Sequence, residues 1–447
     1  MTDNTETNTI NTIDTPKRQM LRVTGILCIV FAGLEFLLVQ LATLIPFLGV
    51  IVTSGAAIPF PMLLVNTLCG IAAGIFAILF YKRADKAKTF LVIGIVYFVL
   101  GLVTLTITFH WASIFALILP VFYVIGADAD KDTIKYIWGE YGIIIFTVVF
   151  FIVCGLVAPR FLTSQNILLV MRQTAIIGII ALGMTFVIIT GGIDLSSGHL
   201  IAMAGTILLI LQGNENISMW VAILACFGVA TGMGFINGVI ITKLRLPAFI
   251  VTLAVGIIAR SLTLFITDGV TVGGRMTPEF LNIGNGGIGP ANFIIPYSAI
   301  VWILMAVILG CVLAYTKFGA YTYAVGGNEV TAKNSGINTD AVKIAAYTLT
   351  GFCVGVSALF NFSRVAAILP ATAGNMFEFD AITAVVIGGA ALAGGRGKIL
   401  GTFFGMLIIG VVSNLLVMFQ ISPFLTGFFK GTLILVAVLL QRRDRTA

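Results

Sequence analysis

Apolar runs of about twenty residues recur along this chain from residue 23 to residue 440, separated by short polar stretches. A helix rises about 1.5 Å per residue, so each run is about long enough to cross a ~30 Å hydrocarbon layer. The runs are continuous rather than alternating, which argues against the strands of a membrane β-barrel. The pattern predicts spans over approximately 22–46, 60–81, 89–108, 111–127, 142–159, 167–190, 198–212, 218–241, 247–267, 293–315, 343–364, 380–394, 399–419 and 424–440. The expected fold class is an all-α polytopic membrane protein.

Composition agrees with the pattern. Hydrophobic residues make up 59% of the 447, charged ones 10%, and mean hydropathy is +1.11; a soluble domain carries about 25% charged residues. The net charge of +7 invites a nucleic-acid reading, but the cations lie beside the apolar runs and suit the setting of orientation instead. With the N-terminus inside, nineteen of the 25 Lys and Arg residues fall in cytoplasmic segments, so both termini are expected in the cytoplasm. No nucleic-acid partner is expected. The six cysteines sit within apolar runs without CxxC spacing, and two distant histidines, His110 and His199, make a metal or histidine-based catalytic site unexpected.

Charge and polarity also divide the chain. Residues 1–20 are Thr- and Asn-rich and read as a disordered cytoplasmic tail, without the basic start of a signal peptide. Residues 127–140 are the most charged run between spans and read as a linker. The expected domains are an extension with four spans at 21–137, of no evident role, and a ten-span core at 138–447.

Within the core, residues 317–343 form a cytoplasmic segment far longer than the roughly 2–8 residues usual between bundle helices. Gly326 and Gly327 read as a turn, Asn328 as a helix N-cap, and Gly336 as a helix stop. A short helix along the membrane surface is expected, presenting small and polar side chains such as Ala332 and Ser335. A solvated connector and a docking helix for a soluble partner are both compatible with it.

Glycines interrupt two apolar runs, at "TGGIDLSSGHL" (190–200) and "IGGAALAGGRGKILG" (387–401), which hints at a weak internal repeat. Gly191 and Gly192 break the first helix, and Asp194, Ser196 and Ser197 can cap the next. Broken helices at membrane depth occur where protein buries them or water lines them, so Asp194 reads either as a structural cap or as part of a solute path. Glu378 and Asp380, at the outer entrance of a span, suit either sugar hydroxyls or an ion pair, with Arg364 as the nearest candidate cation. The outer loop 268–292 carries Arg275 and Glu279 and reads as a lid, a docking surface or a connector. GxxxG spacings at Gly228/Gly232, Gly234/Gly238, Gly351/Gly355 and Gly401/Gly405 suit close helix packing, within one subunit or between two.

Four stretches carry a resemblance: "ITGGIDLSSGHLIAMAG", "GRMTPEF", "FGAYTYAVGGNEVTAKNSGINTDAVKIAAYTLTGF" and "FEFDAITAVVIGGAALAGGRGKILGTFFG". In this order, over roughly residues 140–441, the chain resembles permease subunits of bacterial ABC importers for monosaccharides, of the ribose/galactose/xylose type. The resemblance implies a multi-pass protein of the bacterial cytoplasmic membrane that forms the path for a monosaccharide. Its implied partners are an ABC ATPase subunit, a periplasmic or lipid-anchored sugar-binding protein, and a second permease copy, identical or paralogous. It places the ATPase contact on Gly326, Gly327, Asn328, Glu329, Ala332, Ser335, Gly336 and Ile337, and turns the outer loop towards the binding protein.

The chain itself lacks a phosphate-binding loop. "LAGGRGKILG" puts Leu392 where GxxxxGK[ST] needs Gly, and Ile399 where it needs Ser or Thr. No enzyme activity and no cofactor is expected on this chain; ATP and Mg²⁺ belong to the partner. Members of the family usually begin near the span at 142, so the four-span extension has no counterpart there. An ion-gradient-driven transporter is the competing reading, and Asp194 is its one suitable midplane acid.

Overall fold

The computed structural model describes residues 131–432, except 159, 291–293, 423, 424, 426 and 429. The expected tail and the four spans of the extension lie outside these residues, as does most of the expected final span. The chain divides into two units, Met1–Gly142 and Ile143–Ala447.

Helix α1, Lys131–Val157, takes in residues expected to form the linker. It is followed by α2 (Ser164–Ile189), α3 (Ser197–Gly213), α4 (Met219–Lys243) and α5 (Ala248–Thr267). The outer loop then holds β1 (Val272–Gly273), α6 (Pro278–Asn285), β2 (Gly287–Ile288) and β3 (Ile295–Pro296). Next come α7 (Tyr297–Tyr315), α8 (Lys317–Gly327), α9 (Glu329–Asn334) and α10 (Thr339–Ser363). Short β4 (Ala367–Ile368), α11 (Phe377–Ile387) and α12 (Ile399–Met418) complete the order. Among the described residues, α2, α4, α5, α7, α10 and α12 are long and apolar enough to cross a membrane; α3 and the Tyr141–Gly155 part of α1 are shorter apolar segments.

Helix α10 lies at the centre, packed along α4 and α2. Lipid offers no hydrophobic drive for helices to associate, so close backbone packing carries the contact. Gly234 of α4 meets Gly351 of α10, Gly355 packs on Phe227, and a Cβ on Gly238 would sit 2.7 Å from Ile344 Cα. Gly401 and Gly405 are likewise pressed against Gly388 and Ala384. Gly228 and Gly232 alone of the four GxxxG pairs have open space where a Cβ would stand.

The outer loop is a built cap. β1 pairs antiparallel with β4, β2 with β3, and α6 packs on α10. This fixes the loop to the end of the central helix.

Candidate functional site

Residues 317–334 fold as two helices, α8 and α9. Gly326 and Gly327 are the last two residues of α8 rather than a turn. The bend comes one residue later, at extended Asn328, whose Oδ1 accepts the Thr331 N–H at 2.9 Å and starts α9. Gly336, at φ +82°, ends α9. Its N–H donates to Lys333 O at 3.0 Å and that of Ile337 to Ala332 O at 3.1 Å. This paired closure needs a left-handed residue at Gly336, which favours glycine.

Ala332 does not lie on the exposed face as expected. It is 4% exposed and packs against Val325 and Val342, with Ile337 alongside. Its small size fits α9 onto α8 and α10. The outward face carries Glu329, Val330 and Ser335 instead. Val330 is 70% exposed, an apolar side chain on the open face of a helix capped at both ends. Glu329 also pairs with Lys343 at 2.6 Å, and Lys243 with Asp340 at 2.9 Å. These bridges tie the segment to α10 and the end of α4.

The inner end of α8 touches the first helix break. Gly395 donates its N–H to Ile189 O at 2.8 Å, and Gly326 presses on that same carbonyl. Gly394 packs against Gly191, and Tyr323 donates its hydroxyl to Gly397 O at 2.7 Å. Burial raises the Tyr323 pKa, which keeps the phenol a donor. Phe186 of α2 stacks on Phe318 of α8 with ring centroids 5.6 Å apart. The α8–α9 segment, the 190–192 break and the 388–398 turn therefore form one packed junction. Sequence inspection treated them as separate features.

Beyond Gly191 the chain has no regular secondary structure until α3 starts after Ser196. Asp194 is 1% exposed, and both its oxygens are occupied. Oδ1 accepts the Ser196 N–H at 2.8 Å and its hydroxyl at 2.5 Å; Oδ2 accepts the Ser197 hydroxyl at 3.1 Å. Asn237 donates to Ser196 Oγ at 2.9 Å, and Leu195 N–H to Thr252 Oγ1 at 3.0 Å. Ser196 stands at the N-cap position without a side-chain capping bond, contrary to expectation; Asp194 takes the backbone N–H of that turn. The arrangement fastens the break to α4 and α5.

The second pair of acids begins α11. Glu378 is buried against Gly198, and its Oε2 has no hydrogen-bond partner. Asp380 pairs with Lys430 at 2.6 Å, not with Arg364. Arg260 of α5 donates to Pro370 O and, at 3.5 Å, to Gly198 O, joining the 364–376 segment to the start of α3. Arg260 and Lys430 were overlooked in the sequence, where a cation inside an apolar run was the available signal. Of the outer-loop candidates, Arg275 is half-buried with Nε donating to Gln212 O at 3.1 Å, whereas Glu279 is exposed. Among the described residues no cluster of His, Cys, Asp and Glu could hold a metal ion.

Comparison with known proteins agrees with this architecture. Residues 166–438 match the family described as "Branched-chain amino acid transport system / permease component". The ribose import permease protein RbsC of Bacillus subtilis (strain 168) is 43% identical over 295 residues, 65% of this chain and 89% of that protein. The L-arabinose transport system permease protein AraH of Escherichia coli (strain K12) is 34% identical over 326 residues, 72% of this chain and 97% of that one. The fructose import permease protein FrcC of Rhizobium meliloti is 32% identical over 286 residues, 63% and 79% of the two chains. No solved structure matches significantly. With its helices sized for a membrane and a family match over most of its length, the chain belongs to the branched-chain amino acid transport system / permease component family and is a multi-pass membrane permease.

Proposed function

We propose that this chain is the permease subunit of an ATP-driven ABC importer and forms the translocation pathway for a monosaccharide. A sugar-binding protein, periplasmic or lipid-anchored, delivers the sugar, and a separate ABC ATPase hydrolyses ATP with its Mg²⁺. The family description mentions amino acids, but the ribose, arabinose and fructose permeases among its relatives favour a sugar. In this reading the core has about ten spans, preceded by four more in residues 21–137. Both termini face the cytoplasm, and a second permease copy, identical or paralogous, completes the pathway. Gly191, Gly192, Asp194, Ser196, Glu378 and Asp380 frame that pathway, chiefly by fixing its broken helices.

The observation that carries the proposal is α9 itself. It is a short helix, capped at both ends and braced by an ion pair, with Val330 exposed in its first turn and α8 wedged against Ile189. Such a helix moves as a unit, so a push on its outer face reaches the helix breaks. A gradient-driven carrier leaves this device without a role, and the acid it would use, Asp194, has both oxygens engaged.

The test is Val330→Asp, which adds a charge where nothing in the chain is disturbed. Co-purification with the ATPase and ATP-driven sugar uptake should fall at least about tenfold, as for a desolvated interface anchor, while the melting temperature of the isolated chain is kept. Sugar uptake by the chain alone, driven by a proton gradient, would refute the proposal.

A further inference from the structure

Two helices of the core begin at the same place inside the bundle. α3 starts at Ser197 after the 190–196 break, and α11 starts at Phe377 after the segment that follows α10. That segment pairs with the outer cap at β4 and then turns inwards. Gly374, at φ +70°, packs on the Gly198 carbonyl with no room for a Cβ. Glu378 stands ten residues before Gly388, about 15 Å along α11 from the 388–398 turn. Arg260, which donates to Gly198 O, lies twelve residues from the start of α5 and seven from its end, about 18 Å and about 11 Å. Both measures put the meeting point near the middle of a ~30 Å hydrocarbon layer. Irregular backbone at that depth is buried in protein or lines a path, and secondary transporters hold their solutes where such half-helices meet.

Two side chains reach this turn with polar atoms that nothing satisfies. Glu378 is 6% exposed, lies against Gly198, and has no hydrogen-bond partner for Oε2. Asn237 of α4 is 0% exposed, and its Oδ1 is likewise unpartnered. The amide of Asn237 cannot simply be reversed. Ser196 gives its hydroxyl proton to Asp194, so Ser196 Oγ accepts from Asn237 Nδ2 and the amide carbonyl is left over. Asp194, by contrast, has both oxygens engaged, and Asp380 is paired with Lys430. A buried acceptor without a donor is destabilising, so these two oxygens call for a ligand that donates.

The surroundings narrow the choice. An anion would meet the Glu378 carboxylate. A cation would meet the N-terminal ends of α3 and α11 and the Arg260 guanidinium. Arg260 is committed to the carbonyls of Pro370 and Gly198, so the carboxylate of a zwitterion gains no guanidinium there. A neutral solute rich in hydroxyl groups fits, because each hydroxyl donates to a free oxygen and accepts from a neighbour. A monosaccharide has that chemistry.

We propose that Glu378 and Asn237 are hydroxyl contacts for the monosaccharide halfway along its path, their free oxygens covered when the bundle is closed and satisfied as the sugar passes. Arg260 is a positioning residue that holds the 364–376 segment against α3. The subsite rests on the importer reading and deepens it by naming the atoms that touch the solute.

The experiment places the permease, its ATPase and the cognate binding protein in proteoliposomes. It measures ATP-driven uptake of radiolabelled D-ribose, L-arabinose and D-fructose, with melting of the same complex in detergent. Glu378→Gln keeps the shape and removes the charged acceptor. It should cut sugar uptake per ATP hydrolysed about tenfold, yet melt at or above the wild-type temperature, because a group left unsatisfied in the closed bundle works against stability. Asn237→Leu should lower uptake too, but with a lower melting temperature, since Ser196 Oγ loses its donor. Excess sugar without binding protein should raise the melting temperature of the wild-type permease–ATPase complex and leave that of Glu378→Gln unmoved. Full uptake by Glu378→Gln, or a lowered melting temperature with uptake per ATP retained, would overturn the subsite alone and leave the carboxyl to buried water or to packing. If Glu378→Gln fails to assemble, the wild-type melting shift decides, and no shift with any of the three sugars overturns the proposal. A shift with leucine and none with sugar would overturn it as well, by assigning the acid to an ammonium group. If the wild-type complex carries none of the three sugars with ATP and binding protein, the importer reading falls and the subsite falls with it.

Discussion

Gly326 and Gly327 are adjacent at the end of α8, yet their substitution by alanine should have opposite results. A Cβ on Gly326 would lie 2.6 Å from Gly395 N and 2.8 Å from the carbonyl carbon of Ile189. Non-bonded carbons prefer about 3.5–4.0 Å, so α8 and the 394–395 turn must separate by about 1 Å. Overpacking of this kind costs about 1–3 kcal/mol. The Gly395 N–H to Ile189 O bond passes through the same gap and contributes about 1 kcal/mol more when lost. The lower backbone entropy of unfolded alanine offsets about 0.4–1 kcal/mol. A net loss of about 1–3 kcal/mol follows for Gly326→Ala, which is roughly 1–5 °C in melting temperature for a chain of this size. At Gly327 a Cβ meets nothing within 4 Å and φ is not positive. Gly327→Ala should therefore leave the chain as stable as wild type or raise stability by up to about 1 kcal/mol. Melting of both variants in detergent, with ATP-driven uptake per ATP hydrolysed in proteoliposomes, reads stability and coupling separately. Gly326→Ala should lose coupling as well, because the junction it opens joins the docking segment to the helix break. If Gly326→Ala melts and transports like wild type, the packed junction does not transmit the motion.

Two polar contacts inside the bundle give further expectations. Lys430→Met leaves Asp380 buried and unpaired, at a cost of about 3–5 kcal/mol, whereas adding Asp380→Leu should restore most of it; melting of the single and double variants checks this, and equal stability of the two would dismiss the pair. Asn166 and Asn414 exchange amide hydrogen bonds at 3.0 and 2.8 Å. Asn414→Ala should cost about 1–3 kcal/mol, and a double-mutant cycle with Asn166→Ala should fall short of additivity by about 1 kcal/mol.

The six long apolar helices were legible because a membrane helix declares itself locally, through length and unbroken apolarity, and each lies within a few residues of its expected place; the span expected at 380–394 is instead the shorter α11. The caps of α9 were legible for the same reason: Asn328 and Gly336 act on backbone groups within a few positions of themselves. What failed to show was whatever depended on a partner far along the chain. Gly326 and Gly327 read as a turn because glycine usually marks one, but Gly326 is glycine so that α8 can touch the Ile189 carbonyl, 137 residues earlier. Ala332 read as an outward contact because small residues suit docking; it is small because Val325 and Val342 close over it. Arg364 reads as a candidate partner for one of Glu378 and Asp380, whereas the fold brings Lys430 to Asp380 from 50 residues away. Each of these cases turns on the same ambiguity, that a small or charged residue in an apolar chain states a need for close approach or neutralisation without naming what approaches or neutralises.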